Sequence, residues 1–208
     1  MRIAIIGAGS VGQTLAQGWS KAGHAVKLGV LNPKAEKYRS LPAAQLTTPA
    51  AAAADAEIIV LATPWPKTEA AIGGLGNLAG RIVVDCTNPL TSGPQGMGLE
   101  IGHDISGGEK VAQWAKGAAV FKTLNHIGAA NMATAREFKV RPAMFVAGDD
   151  AAKKPAVLKL VGDLGFEAID AGPLSNARLL EPLAMLWIDQ ALVRGRGPDF
   201  AFALVKRG

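Results

Sequence analysis

Residues 2–12 read RIAIIGAGSVG, an apolar run that stops at three glycines, Gly7, Gly9 and Gly12. The residues that follow place apolar side chains four positions apart and reach Gly23, which is typical of an amphipathic helix closed by a glycine. A GxGxxG motif is weak evidence by itself, but a strand before it and a helix after it make it specific. The stretch therefore predicts the turn that binds the diphosphate of a dinucleotide.

Each glycine of this turn has its own physical role. Gly7 permits the tight turn, Gly9 lets the backbone approach a pyrophosphate, and Gly12 lets the helix pack closely on the strand. The helix that begins at Ser10 directs free N–H groups and its positive dipole end toward the phosphates. We expect cofactor contacts from the whole loop: Gly7, Ala8, Gly9, Ser10, Val11 and Gly12.

The end of the second predicted strand bears on the choice between NAD and NADP. A site that prefers NAD normally places Asp or Glu there to accept hydrogen bonds from the ribose diol. This chain has no carboxylate at that strand end, near Val30. We expect Asn32, Lys34 and Lys37 to surround a ribose 2′-phosphate, and we therefore predict NADP. Leu31 is also expected among the cofactor contacts. The alternative is that both lysines simply belong to a solvated helix start.

Two further strands are predicted to end at the cofactor crevice. The third runs EIIVLATPW and stops at Thr63, and the fourth runs RIVVDCTNPL and stops at Asn88. Both residues offer hydrogen-bonding groups to a ribose or a carboxamide. Trp65 either packs on the nicotinamide or supports the corner between strand and helix. The cofactor contacts predicted here are Ala62, Thr63, Pro64, Trp65, Asn88 and Pro89.

The whole chain alternates short apolar runs with longer amphipathic segments, which is typical of parallel βαβ units. Strands are predicted at 2–6, 25–30, 57–62, 81–86, 118–123, 143–147 and 166–170, and helices at 11–22, 33–39, 49–54, 67–77, 108–115, 127–133, 151–164 and 175–193. The segment 87–108 is the longest without a period and is predicted to be a loop on the ligand side. We predict an α/β fold with a Rossmann-type, doubly wound, mainly parallel sheet. Residues 1–118 form the dinucleotide-binding core, and 119–208 form a small C-terminal α/β extension on the same sheet.

Composition and charge exclude several other classes of protein. With 208 residues and 49% hydrophobic content, the chain is expected to be globular. With a net charge of +5, the chain shows no basic patch of the kind that binds nucleic acid. No run approaches the ~20 apolar residues of a membrane span. The short N-terminal apolar run does not resemble a signal peptide, and the single Cys86 suits a reducing compartment. We expect a cytoplasmic homodimer that acts on a small molecule, with no nucleic-acid or membrane partner.

The sequence contains no recognisable catalytic triad or metal site. His24, His103 and His126 lack the spacing of metal ligands, and there is no GxSxG motif. His126 follows the fifth strand and is either a catalytic acid or base or a loop histidine bonded to the backbone. We assign no catalytic residue and keep Asn125 and His126 as candidates.

With these residues assembled, the chain resembles the NADP-dependent deazaflavin (coenzyme F420) oxidoreductase family. The pairing of TPW with DAGPLSNARLLE is its most specific part, and the glycine loop is shared with many other dehydrogenases. The stretches that match are RIAIIGAGSVGQTLA, TPW, VVDCTNPL, TLNHIGAANM, FVAGDD and DAGPLSNARLLEPLAMLWI. The resemblance implies NADP at the sheet edge and a second planar substrate against the nicotinamide. The chain departs from the family at Val30 and Leu31, where relatives carry Ser-Arg to hold the 2′-phosphate.

The implied reaction is direct hydride transfer between NADPH and a deazaflavin or flavin, with the protein supplying orientation and excluding water. The resemblance places the second substrate at the loop after the fifth strand, and small residues further along the chain would leave room for a flat ring. The second-substrate residues expected are Asn125, His126, Ile127, Gly128, Ala129, Gly172 and Pro173. Two alternatives remain: a redox sensor that binds NADP(H) without catalysis, and a short relative of the 3-hydroxyacid and imine dehydrogenases.

Overall fold

The computed structural model describes residues 1–42, 45–94 and 96–207. The strands are β1 (Arg2–Ile6), β2 (Ala25–Gly29), β3 (Leu46–Thr47), β4 (Ile58–Leu61), β5 (Ile82–Asp85), β6 (Leu90–Gly93), β7 (Gly96–Leu99), β8 (Ala119–Lys122), β9 (Ala143–Gly148) and β10 (Glu167–Asp170). The helices are α1 (Ser10–Lys21), α2 (Pro49–Ala54), α3 (Trp65–Gly73), α4 (Gly107–Trp114), α5 (Lys154–Asp163) and α6 (Ala177–Ile188), and a π-helical turn, Asp189–Val193, extends α6.

Eight of these strands form one sheet in the order β10-β9-β8-β5-β4-β1-β2-β3. All neighbours from β3 to β8 run parallel, and helices pack on both faces. On one face, the buried indole N–H of Trp19 in α1 donates to the Leu160 carbonyl of α5 over 2.9 Å. On the other face, α2, α3 and α4 contribute to a second apolar cluster. The predicted doubly wound, mainly parallel sheet is therefore confirmed.

Strand β9 reverses the direction of the sheet. It pairs antiparallel with β8, with Phe121 opposite Gly148 and Lys122 opposite Ala147, and β10 runs parallel to β9. The carboxyl ends of β9 and β10 therefore lie at the sheet edge opposite to the carboxyl ends of β1, β4, β5 and β8. This reversal decides which residues of the C-terminal half can reach the cofactor crevice.

Several predicted elements differ from the observed ones. The strand β3 was not predicted, and the predicted loop 87–108 contains the antiparallel hairpin β6–β7, although Gln95 lies outside the described residues. The predicted helices 33–39 and 127–133 are wrong, because these segments form only short 3-10 turns at Glu36–Tyr38 and Ala129–Met132. The division of the chain at residue 118 remains a prediction, and Gly208 lies outside the described residues.

Within residues 1–42, 45–94 and 96–207, no helix is both long enough and apolar enough to span a membrane.

Candidate functional site

The glycine loop connects β1 to α1, and its three glycines differ in what they contact. Gly7 has φ +107°, and a Cβ there would lie 2.5 Å from the Ala62 carbonyl oxygen. A Cβ on Gly12 would collide with the Gly7 carbonyl. Gly9 has an ordinary φ of −76°, and a Cβ there would have nothing within 4 Å. Neither the backbone nor the protein interior requires glycine at position 9, so the space beside it is available to a ligand.

The first turn of α1 supplies the hydrogen-bond donors for an anion. Gly9 is the N-cap residue and has no side chain to occupy the free N–H groups of Ser10 and Val11. The first turn contains no acidic residue, and Gln13 holds the loop from the other side by donating to the Ala8 carbonyl over 2.8 Å. A diphosphate fits this position because free N–H groups and the positive helix end both favour a negative charge.

Two adjoining cavities lie at this edge of the sheet. One has a volume of about 820 Å³ and runs from the glycine loop to the end of β5, and the other has about 610 Å³ and lies between the end of β2 and α3. Both volumes are in the range of cofactor sites. The residues shared by the two are Gly7, Ala8, Lys37, Tyr38, Thr63 and Pro64. The two cavities adjoin along these shared residues, and this arrangement is suitable for an extended dinucleotide.

The end of β2 presents an apolar residue to the second cavity. Val30 is buried, and its amide donates to the Thr47 carbonyl of β3 over 2.9 Å. Leu31 lies on the cavity wall with 94% of its surface exposed, and Asn32 lies beside it. The Asn32 side chain accepts a hydrogen bond from the Lys34 amide, which forms a tight turn. This turn shapes the loop that follows the strand.

The two lysines expected near the 2′-phosphate have different positions. Lys37 lies on the wall of both cavities, with its Nζ atom 4.9 Å from the centre of the Tyr38 ring. Lys34 lies on neither wall. A lysine from the opposite side, Lys67 of α3, also reaches the second cavity. The cations available to a 2′-phosphate are therefore Lys37 and Lys67.

Trp65 begins α3 and is mostly buried at the corner between β4 and α3. Its indole N–H donates to the Glu100 carboxylate over 3.1 Å, and its ring lies 5.3 Å from that of Trp114 in α4. Part of its surface lines the first cavity, as does Thr63, whose hydroxyl shares a hydrogen bond with the buried Thr68. Trp65 therefore supports the corner and also forms part of the cavity wall.

Asn88 lies at the far end of the first cavity, after β5. Its side-chain amide donates to the Asn125 carbonyl over 2.8 Å, and its side-chain oxygen accepts from Asn125 Nδ2 over 3.0 Å. Pro89 lies off the cavity wall, buried against Gly107. Asn88 is thus held in a fixed orientation by the loop after β8.

His126 is buried away from the cavity. Its Nε2 atom accepts from the Phe145 amide over 3.4 Å, and burial lowers the pKa of the imidazole to about 4, although a hydrogen bond to its own backbone acts in the opposite direction. The ring is therefore neutral near pH 7. Of the two interpretations of His126, the geometry favours a loop histidine bonded to the backbone over a catalytic acid or base.

The remaining second-substrate residues are not brought together. Ile127 is buried, Ala129 begins a 3-10 turn, and Gly128 packs so closely on the Trp187 ring that a Cβ would lie 2.7 Å from it. The Gly172 carbonyl accepts from the Gly148 amide over 3.0 Å, at the end of β9. Because β9 is antiparallel, Gly172 and the adjacent Pro173 lie at the opposite edge of the sheet from Asn125.

Other cavity residues were not predicted. Tyr38, Gln13 and Leu90 lie on the wall of the first cavity, together with Cys86 and Thr87 at the end of β5. Burial raises the pKa of the Cys86 thiol well above its usual range, so it remains protonated. The position of these last two residues at the end of the predicted strand 81–86 was the signal available in the sequence.

A parallel sheet with a glycine loop, an open helix N-terminus and a cavity across the strand ends defines a dinucleotide-binding protein. The family model described as NADP oxidoreductase, coenzyme F420-dependent, matches residues 2–89. The chain is also similar to the crystal structure of a proposed F420-dependent NADP-reductase from Arthrobacter sp. FB24. The two are 34% identical, with a TM-score of 0.89 over 99% of this chain and 100% of that one. The chain therefore belongs to the F420-dependent NADP oxidoreductase family, as the resemblance predicted.

Two more distant similarities extend this result. The chain is 28% identical to the metalloreductase STEAP3 of Rattus norvegicus over 89% of its length, but it spans only 37% of that protein. A reductive aminase of Aspergillus terreus, solved with NADPH and ethyl levulinate, is 22% identical, with a TM-score of 0.66 over 93% of this chain and 62% of that one. The second similarity shows the fold alone. The family to which the chain belongs is one of NADP-dependent oxidoreductases.

Proposed function

We propose that this protein transfers a hydride between NADPH and a deazaflavin or flavin. The observation that carries the proposal is the continuous cavity from Gly9 to Asn88, which ends where a nicotinamide would meet the carboxyl ends of β4 and β5. The similarity to the Arthrobacter protein, a proposed F420-dependent NADP-reductase, supports this choice of acceptor.

The residues of the chain bind and orient the cofactor. The free N–H groups at the start of α1 bind the diphosphate, and Lys37 faces the 2′-phosphate. Asn88, whose side chain is held by Asn125, forms the cavity wall at the nicotinamide end. The reduced nicotinamide supplies the hydride. Because no proton transfer is needed from the protein, the neutral buried state of His126 is compatible with this reaction.

The test is an anaerobic assay that mixes the protein, NADPH and one acceptor at a time. Coenzyme F420 and FMN are the acceptors expected to be reduced, and the loss of their absorbance is followed against the uncatalysed rate. A ferric chelate, alone and with added FMN, tests the chemistry named for the rat metalloreductase. If NADPH binds but no acceptor is reduced, the protein is the redox sensor instead.

We also propose that the protein is a homodimer. Leu179 and Leu186 of α6 are 67% and 50% exposed and lie seven residues apart, so they share one helix face with the exposed Pro182. An apolar face of this kind favours association with another surface. Sedimentation velocity should give a dimer for the wild type and a monomer for Leu186→Glu. A monomeric wild type would refute the proposal.

A further inference from the structure

Lys122, the last residue of β8, is fully buried with two carboxylates. Its Nζ atom donates to Asp85 Oδ2 over 2.9 Å and lies 2.8 Å from Glu181 Oε1. It also donates to the Thr87 carbonyl over 2.6 Å. The three hydrogens of the ammonium group are therefore all directed at oxygen atoms, one each from β5, the loop after β5 and α6.

The carboxylates of this cluster are also fully used. Asp85 Oδ1 accepts from the amide and the hydroxyl of Thr87, over 2.9 and 2.7 Å. Glu181 accepts from the amides of Gly107 and Gly108 at the start of α4, over 2.9 and 3.0 Å. Burial alone lowers the pKa of Lys122, but the two carboxylates outweigh burial and raise it. Lys122 is therefore charged, and the positive end of α4 lies at the Glu181 carboxyl group through the two glycine amides.

The cluster is adjacent to the nicotinamide end of the cavity. Thr87, which it binds through three hydrogen bonds, lies on the cavity wall directly before Asn88. Asn88 is paired with Asn125, and Asn125 Nδ2 also donates to the Leu180 carbonyl of α6 over 3.0 Å. Helix α6 is thus connected to both cavity residues. Glu181 is paired with Lys122, which binds Thr87, and Leu180 binds Asn125, which holds Asn88.

The backbone before Asn125 carries strain that favours the same arrangement. Leu124 has φ +58°, a left-handed conformation that a leucine rarely adopts, and its side chain is fully buried. Its amide donates to the Met144 sulfur over 3.3 Å. Such conformations persist where the surrounding structure holds them, and they are common at functional sites. Here the turn brings the Asn125 carbonyl to Asn88.

We infer that Lys122 and Glu181 are positioning residues, which hold Thr87 and Asn88 in place for the nicotinamide half of the cofactor. Neither residue lies on the cavity wall, so they act through Thr87 and Asn88 and not by contact with the cofactor. The adenosine half is bound by the glycine loop and by the end of β2, which lie on other strands. The two residues should therefore affect one half of the cofactor and not the other.

The experiment compares two ligands, NADPH and 2′,5′-ADP, which keeps the adenosine and its 2′-phosphate but lacks the nicotinamide. In Lys122→Met we expect the Kd of NADPH to rise roughly tenfold, as for the loss of one well-placed hydrogen bond, while that of 2′,5′-ADP changes less than about twofold. We also expect the emission maximum of bound NADPH to move toward that of free NADPH, because this fluorescence reports on the nicotinamide.

The matched control is Lys154→Met. Lys154 is another buried lysine, bonded to Asp170 and to the Gly172 carbonyl at the opposite edge of the sheet. This variant should lose stability without changing the ratio of the two affinities. If Lys122→Met fails to fold because two carboxylates are left unpaired, Glu181→Gln provides the same comparison with less buried charge.

The inference rests on the proposed NADP(H) site, and the two can fail separately. A folded variant whose affinities for both ligands fall equally, or in which neither affinity falls, would overturn the positioning role while leaving the cofactor assignment in place. A wild type that binds neither ligand would refute the assignment and the inference together. Failure to reduce any acceptor would bear on the proposed reaction alone.

Discussion

Replacing Gly9 by alanine should separate cofactor binding from folding. The backbone at Gly9 has φ −76° and ψ −171°, which alanine adopts without strain, and the added Cβ would have no protein atom within 4 Å. The methyl group would instead occupy the space over the N–H groups at the start of α1. We therefore expect the protein to remain folded and the affinity for NADPH to fall.

The two effects can be estimated independently. A glycine-to-alanine change at a compatible conformation stabilises a protein by about 0.4–1 kcal/mol, because it restricts the unfolded chain. Displacing the diphosphate enough to lose one charge-assisted hydrogen bond costs about 1.5–3 kcal/mol, which corresponds to a roughly 10- to 100-fold higher Kd. Stability and affinity should therefore change in opposite directions.

Calorimetric titration with NADPH measures the affinity, and urea denaturation without ligand measures the stability. Gly12→Ala is the matched control, because its Cβ would collide with the Gly7 carbonyl and should destabilise the fold by about 1–3 kcal/mol. Wild-type affinity in Gly9→Ala would show that the diphosphate does not bind at this loop. A loss of stability in Gly9→Ala would mean that position 9 serves packing.

Three other predictions follow from the same structure. Leu31→Arg should add a charge-assisted contact and increase the preference for NADPH over NADH by roughly 10- to 100-fold, and a wild type that prefers NADH would contradict the NADP assignment. Lys37→Ala should lower the affinity for NADPH roughly tenfold and leave the affinity for NADH nearly unchanged. Lys34 lies outside both cavities, so Lys34→Ala should change neither affinity. Equal effects of the two variants would refute the role of Lys37. The pKa of His126 is about 4 in the folded state, below the ordinary value of 6.5 in the unfolded chain. Between these two pKa values the unfolded state binds more protons than the folded state, so the free energy of unfolding falls as the pH drops from 6.5 to 4. Urea denaturation at pH 7 and pH 4 should show that the wild type loses on the order of 3 kcal/mol more than His126→Leu, and parallel losses would contradict a buried neutral ring.

The dinucleotide end of the site could be predicted because its determinants are local in sequence. The strand, the turn and the start of α1 fall within residues 2–12, so propensity, periodicity and glycine placement all indicate the same structure. The strand β3 is only two residues long and the hairpin β6–β7 is rich in glycine, so neither has a period that could be recognised. Short elements of this kind are held by their neighbours and not by their own sequence.

The second-substrate residues could not be grouped from the sequence for a different reason. Gly172 and Pro173 are expected at this site because small residues leave room for a flat ring, but the sequence does not indicate which edge of the sheet they reach. The antiparallel pairing of β9 with β8 places their strand at the opposite edge, and the direction of pairing is a long-range property. The buried cluster was missed because Lys122 and Glu181 are 59 positions apart in the chain, and each alone looks like a surface residue.

The two ends of the cofactor site depend on different parts of the chain. The glycine loop is built from contacts among residues that lie within the first third of the chain, such as Gly7 with Ala62 and Gln13 with Ala8. The nicotinamide end contains Asn88, whose partners come from the loop after β8 and, through it, from α6. The proposed hydride transfer depends on orientation, and on that proposal α6, through Asn125, would also hold Asn88 in place beside the reacting ring. A disturbance of α6 should therefore reduce nicotinamide binding before it reduces adenosine binding.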